Sequence, residues 1–117
     1  MFSPGTIERL QEGPAWVVVV RGDHDLSTAP GLVRELEQAV DAGGPVVVDL
    51  AGVDFMDSAI LRALLTAREQ ALARREGSFA MVAPPGCFPS RVLGHVGALV
   101  PTYPDLAAAV AAVAPGA

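Results

Sequence analysis

Residues 45–75 read PVVVDLAGVDFMDSAILRALLTAREQALARR, and the change of pattern inside this stretch decides the fold. Positions 46–50 are three valines, Asp49 and Leu50, flanked by Gly43-Gly44-Pro45 and Ala51-Gly52. A short β-branched run between such breakers reads as a buried strand. From Ile60 the spacing changes. Ile60, Leu61, Leu64, Leu65 and Leu72 recur on one side, while Arg62, Thr66, Glu69, Gln70 and Arg74 take the other, which is an amphipathic helix. Asp54-Phe55-Met56-Asp57-Ser58 joins the two, so an aspartate and a serine fall where a helix has unpaired backbone N–H groups and a partial positive charge. With Asp57 as the cap, Ser58 becomes the first helical residue and its hydroxyl lies near the surface.

The same reading extends outward in both directions. Residues 6–10 form a weakly patterned strand, 11–14 a turn, and Ala15-Trp16-Val17-Val18-Val19-Val20 a second buried strand. So short a connection forces an antiparallel hairpin, because a parallel crossover needs about a dozen residues or more. The sheet is therefore mixed. After Gly22-Asp23-His24-Asp25-Leu26, Ser27 or Thr28 can cap a helix with Pro30 in its first turn, Leu32, Val33, Leu36, Ala39 and Val40 on one face, and Gly43 as its stop. Beyond the central pair, residues 78–83 form a strand ended by Pro84-Pro85-Gly86. A short helix runs from Pro89 or Ser90 to about His95, and Gly97-Ala98-Leu99-Val100 is a weak last strand. Pro104-Asp105 opens an alanine-rich helix carrying Leu106, Val110 and Val113. The predicted order is ββαβαβαβα: an α/β fold with a mixed β-sheet of four to five strands and about four packed helices.

Composition narrows the function. A chain of 117 residues with 51% hydrophobic content can bury about two thirds of its surface around one core. Thirteen acidic residues oppose eight basic ones, all arginine, giving a formal charge of −5 with no basic cluster to neutralise phosphates. Nucleic-acid binding is not expected. Cys87 is the one cysteine, so an internal disulfide is excluded. No stretch approaches the roughly 18 apolar residues of a membrane span, and residues 1–5 lack the pattern of a secretion signal. These features lead to the expectation of a cytoplasmic protein without membrane insertion.

Three segments in register carry a family resemblance. Val48-Asp49-Leu50 followed by Val53-Asp54-Phe55-Met56-Asp57-Ser58 resembles the centre of STAS domains, the family of anti-sigma factor antagonists and sulphate-transporter tails. Gly22-Asp23-His24-Asp25-Leu26-Ser27-Thr28-Ala29 resembles that family's G-E-L-D-x-x-T-A, and Arg91-Val92-Leu93 with Gly97-Ala98-Leu99-Val100 resembles its R-L-F…G-L. Ser58-Ala59-Ile60-Leu61 stands where the family usually has S-S-G-L, and His24 stands where it has an apolar residue.

The resemblance implies a single STAS-like domain over residues 1–117, with its core at about 6–114, that acts by binding. Ser58 matches the serine phosphorylated by a partner that is both kinase and anti-sigma factor. The implied contact surface is Asp25, Asp54, Asp57, Ser58, Ala59 and Arg62. The implied partner is an anti-sigma factor with serine kinase activity, whose release on phosphorylation governs sigma-factor-dependent transcription. No cofactor of the chain's own is implied, since ATP belongs to the kinase.

Other readings stand beside it. Asp57-Ser58 also makes an ordinary helix cap, because Asp and Ser lead the capping preferences. A STAS-type scaffold or transport-accessory module that uses the same surface without phosphorylation is the alternative function. Asp23-His24-Asp25 lacks further ligands for a metal and reads as a solvated polar turn. His95 reads as an ordinary histidine and Cys87 as an unreactive thiol. A receiver-type phosphoaspartate at Asp49 or Asp57 would need a lysine, and the chain has none. Acyl transfer would need a G-x-S-x-G elbow that Ser58 lacks.

Overall fold

The computed structural model describes residues 4–95 and 100–115. Its elements are β1 (Thr6–Glu12), β2 (Ala15–His24), α1 (Ala29–Asp41), β3 (Pro45–Met56), α2 (Ser58–Leu72), β4 (Ser78–Val82), α3 (Phe88–Gly94), β5 (Thr102–Tyr103) and α4 (Leu106–Val113). The predicted order holds throughout. The strands form one sheet in the order β1-β2-β3-β4-β5. β1 and β2 pair antiparallel through the Gly13-Pro14 turn, and every other neighbouring pair is parallel.

Helices cover both faces, which is why β2 and β3 read as unbroken apolar runs instead of alternating ones. Val18, Val20, Val46, Val48 and Leu50 pack with residues of α1, α2 and α3. Val17, Val19 and Val47 point to the other face, where Ala80, Val82 and α4's Ala109 and Val113 meet them. Each fully buried valine or leucine contributes about 1.5 to 3 kcal/mol of transfer free energy.

The helix stripes differ in detail from the periodicity. On α1 the buried residues are Ala29, Leu32, Leu36, Ala39 and Val40, whereas Val33 is turned outward. On α2 they are Ile60, Ala63, Leu64, Ala67 and Ala71, and Leu72 is exposed. Small residues fill α2's inner stripe because α1 lies against it on the same face of the sheet, and alanine permits that approach. The last described strand is Thr102–Tyr103, paired with β4; Val100 is not in a strand, and residues 97–99 lie outside the described residues. Leucine and valine drew the expectation to 97–100, although β-branched Thr102 and aromatic Tyr103 suit a strand equally well.

β2 and β3 both run longer than their apolar cores, and they stay paired to the His24–Met56 level through register shifts after Val19 and Gly22. Such bulges re-aim the chain at the end of a strand. Gly22 is required there: its φ is +83°, and a Cβ would lie 2.2 Å from the Pro4 carbonyl oxygen. The consequence is positional. The β2–α1 turn and the β3–α2 turn emerge side by side at one end of the sheet.

Candidate functional site at the mouth of α2

Asp57 is the N-cap of α2 and Ser58 its first residue, as the spacing predicts. Asp57 Oδ1 accepts hydrogen bonds from the backbone N–H groups of Ala59 at 3.0 Å and Ile60 at 3.2 Å, and its carbonyl accepts from Leu61 N–H. The first two are donors a helix leaves unsatisfied at its start, and the third is the first intrahelical bond. Its second carboxylate oxygen accepts from Leu26 N–H at 3.0 Å, across 31 positions of sequence. One side chain thus caps α2 and ties the β2–α1 turn to it.

Ser58 is exposed, and its hydroxyl has no hydrogen-bond partner among the described residues. Asp54 is exposed on the last part of β3, and Asp57 is half-buried. Asp25 is exposed in the neighbouring turn, where its Oδ1 accepts from the Ser27 hydroxyl and from Ser27 N–H at 2.9 Å. The Ser27 hydroxyl bond, followed by the Ser27 backbone bond, holds the Asp25 carboxyl below the usual carboxylate range. Asp25 and Asp57 therefore lie on the two adjoining turns, and Asp54 lies near the end of β3. Ala59 is half-buried and Arg62 exposed, one turn along α2 from Ser58. Both line a cleft of about 200 Å³ between α1 and α2, floored by Leu36 and Ala63.

Ile60 is 1% exposed and belongs to the core. The bulky residue that stands where the family has glycine points inward, so the surface beside Ser58 is left clear.

His24 departs from the solvated turn expected of Asp23-His24-Asp25. It is 1% exposed, with Nε2 2.8 Å from the Arg21 carbonyl and Nδ1 3.0 Å from Thr28 Oγ1. Thr28 occupies the N-cap position of α1 without bonding that helix through its side chain; its Oγ1 instead accepts from Asp25 N–H and lies within bonding distance of the Asp25 carbonyl. Asp23 and Asp25 do not join His24 as ligands, and no metal-binding group of three such side chains occurs among the described residues. His95 is exposed. Cys87 is half-buried, and its Sγ, 3.4 Å from Ser90 N–H, caps α3, which starts one or two residues earlier than expected.

Sequence reading missed two apolar side chains at this end. Leu26 is 73% exposed, held out by the turn that Asp57 anchors. Phe55 is 44% exposed and lies 5.6 Å from the Phe88 ring, over which Arg91 sits at 5.9 Å. The sequence reading left Phe55 in the connection between strand and helix, whereas β3 extends to Met56 and is irregular there, so simple alternation gave no sign of which way Phe55 faces.

A mixed five-stranded sheet with helices on both faces, and two strand ends delivering a capped helix mouth and an adjoining turn, defines a small α/β domain with one conspicuous surface. The chain belongs to the STAS domain family: the family model described as "Mlab, STAS domain" matches residues 8–98. Among solved structures, an anti-sigma factor antagonist from Mycobacterium paratuberculosis is similar at 28% identity and a TM-score of 0.82, with 94% of each chain covered. A putative anti-sigma factor antagonist from Thermotoga maritima shares the fold at 17% identity and a TM-score of 0.71, over 92% of this chain and 93% of that one. The Bacillus cell fate determinant SpoIIAA in its phosphorylated form does so at 16% identity and a TM-score of 0.67, over 95% of this chain and all of that one. No curated protein matches the sequence.

Proposed function

We propose that this protein is an anti-sigma factor antagonist that docks an anti-sigma factor at the mouth of α2, and that phosphorylation of Ser58 by that partner ends the docking. Sigma-factor-dependent transcription in the cytoplasm would then follow the state of one hydroxyl. The observation that carries the reading is the division of labour between Asp57 and Ser58. Asp57 takes the Ala59 and Ile60 N–H groups by itself, so capping leaves the Ser58 hydroxyl unused, exposed and without a partner among the described residues. The similarity to the Mycobacterium paratuberculosis antagonist supports the role.

In the reaction the γ-phosphoryl group of ATP, bound by the kinase, passes to Ser58 Oγ; the hydroxyl proton and ADP leave. The product adds about −1.5 to −2 charges and three acceptor oxygens. Asp25, Asp54 and Asp57 already make this end acidic. Two like charges about 6 Å apart repel by roughly 1 to 3 kcal/mol at an effective dielectric between that of a protein surface and water. A penalty of that size against a closely fitted or acidic partner surface matches a typical regulatory coupling of about 1 to 3 kcal/mol.

The test is a pull-down with Ser58→Ala and Ser58→Asp as paired baits, both checked for an unchanged melting curve. Recovery of an ATPase-fold kinase with the alanine bait, bound about 5- to 150-fold more tightly than with the aspartate bait, is the expected result. Equal binding by the two would remove phosphorylation control.

A second reading is a STAS-type scaffold or transport-accessory module that uses the same surface without phosphorylation. Ala59 in place of the family's second serine favours it. Incubation with the recovered kinase and ATP separates the two, since only the first gains the mass of one phosphate, and loses that gain in Ser58→Ala.

A further inference from the structure

Asp57 takes most of the backbone donors at the helix mouth. Ala59 and Ile60 N–H groups are taken by Asp57 Oδ1, and Leu61 N–H by the Asp57 carbonyl. An anion attached to Ser58 must find its counter-charge in a side chain. Arg62 is four residues on, so its Cβ lies roughly 6 Å away on the same face of the helix. Helical side chains lean toward the N-terminus, which puts the Ser58 turn within reach of the Arg62 side chain. Both residues line one surface concavity beside Leu61 and Leu65. Arg62 is exposed and takes no part in the ion pairs found among the described residues, Arg9–Glu35 and Arg74–Asp41.

We infer that phosphoserine 58 is clamped within the chain by Arg62, in a charge-assisted contact on the outer face of α2. The order suits it, because an acid N-terminal to a base at this spacing is the stronger orientation. A guanidinium fork also matches phosphate oxygens in a way an ammonium does not. The clamp rests on the reading of Ser58 as a phosphoacceptor and adds a second effect to it. Modification both places a dianion on the docking surface and withdraws the cation that unmodified protein presents there. Repulsion and the loss of a contact then act together, with no change of backbone.

The experiment installs phosphoserine at position 58 during translation, so that no kinase is required, and follows its second ionisation by phosphorus NMR. An arginine partner stabilises the dianion, so the phosphate in the otherwise native chain titrates at a lower pH than in Arg62→Gln. The expected upward shift on substitution is about 0.3 pH unit at low salt, shrinking in 1 M salt, with Arg62→Lys between the two. Arg68→Gln removes a cation further along the same concavity and should leave the titration where it is. Identical titrations in the native and Arg62→Gln chains, or an equal shift from Arg68→Gln, would overturn the clamp. Either result leaves the Ser58 binding comparison untouched, and a failure of that comparison leaves the titration difference standing.

Discussion

The Asp57 carboxylate accepts the Leu26 N–H at 3.0 Å while its other oxygen caps α2, so two turns separated by 31 positions are fastened by one side chain. Leu26 owes its exposed position to that fastening, and the surface around Ser58 owes its shape to both.

Asp57→Ala should therefore do two things. Loss of the cap costs about 1 kcal/mol, within a range of roughly 0.5 to 2, and release of Leu26 N–H loosens the β2–α1 turn. Urea denaturation should show the stability loss, and amide exchange at Leu26 should quicken by more than at residues of β4. Unchanged exchange at Leu26 would contradict the link.

Ile60→Gly restores the residue the family prefers, yet here it should harm the protein. Ile60 is buried against the core, so its removal leaves a cavity, and glycine adds backbone freedom. A loss of about 3 to 5 kcal/mol is expected, read as a large drop in the thermal midpoint. A near-neutral result would mean that the side chain is not seated in the core.

His24→Leu tests the buried histidine. The replacement keeps an apolar volume in place but leaves the Arg21 carbonyl and the Thr28 hydroxyl without the imidazole, which should cost about 1 to 3 kcal/mol. The midpoint of urea unfolding measures it.

The Asp25 carboxyl is held below its ordinary value near 3.8 by the Ser27 hydroxyl. A depressed carboxylate contributes stability that is complete above its unfolded value and is lost as the pH falls through the folded one. The β2–α1 turn should thus stay ordered at pH 5 and loosen only below about 3.8. Carbon NMR of the carboxyl follows the titration directly, and Ser27→Ala should move it upward. No movement would remove Ser27 as the cause.

The order of elements, the hairpin and the start of α2 were all legible in the sequence, because each rests on a local signal: an apolar run, a connection too short to cross over, an aspartate before a helical repeat. Which side chains face outward was less so. Val33 and Leu72 carry the right residue type for a core stripe and are left outside it, because the buried stripe of each helix is narrower than its set of apolar residues. His24 looked solvated because polar neighbours flank it. Its burial depends on Arg21, Thr28 and a chain crossing at Gly22, none of which a periodicity can report. The Asp57–Leu26 bond is a contact between distant segments and had no local signature.

Two faces of the sheet are covered very unequally. Against α1, α2 and α3 on one side stands α4 alone on the other, meeting Val17, Val19 and Val47 through Ala109 and Val113. Cutting the chain before Asp105 would bare a valine surface on the central strands while leaving Ser58 and its surroundings in place, so such a fragment should self-associate before it loses the ability to present its serine.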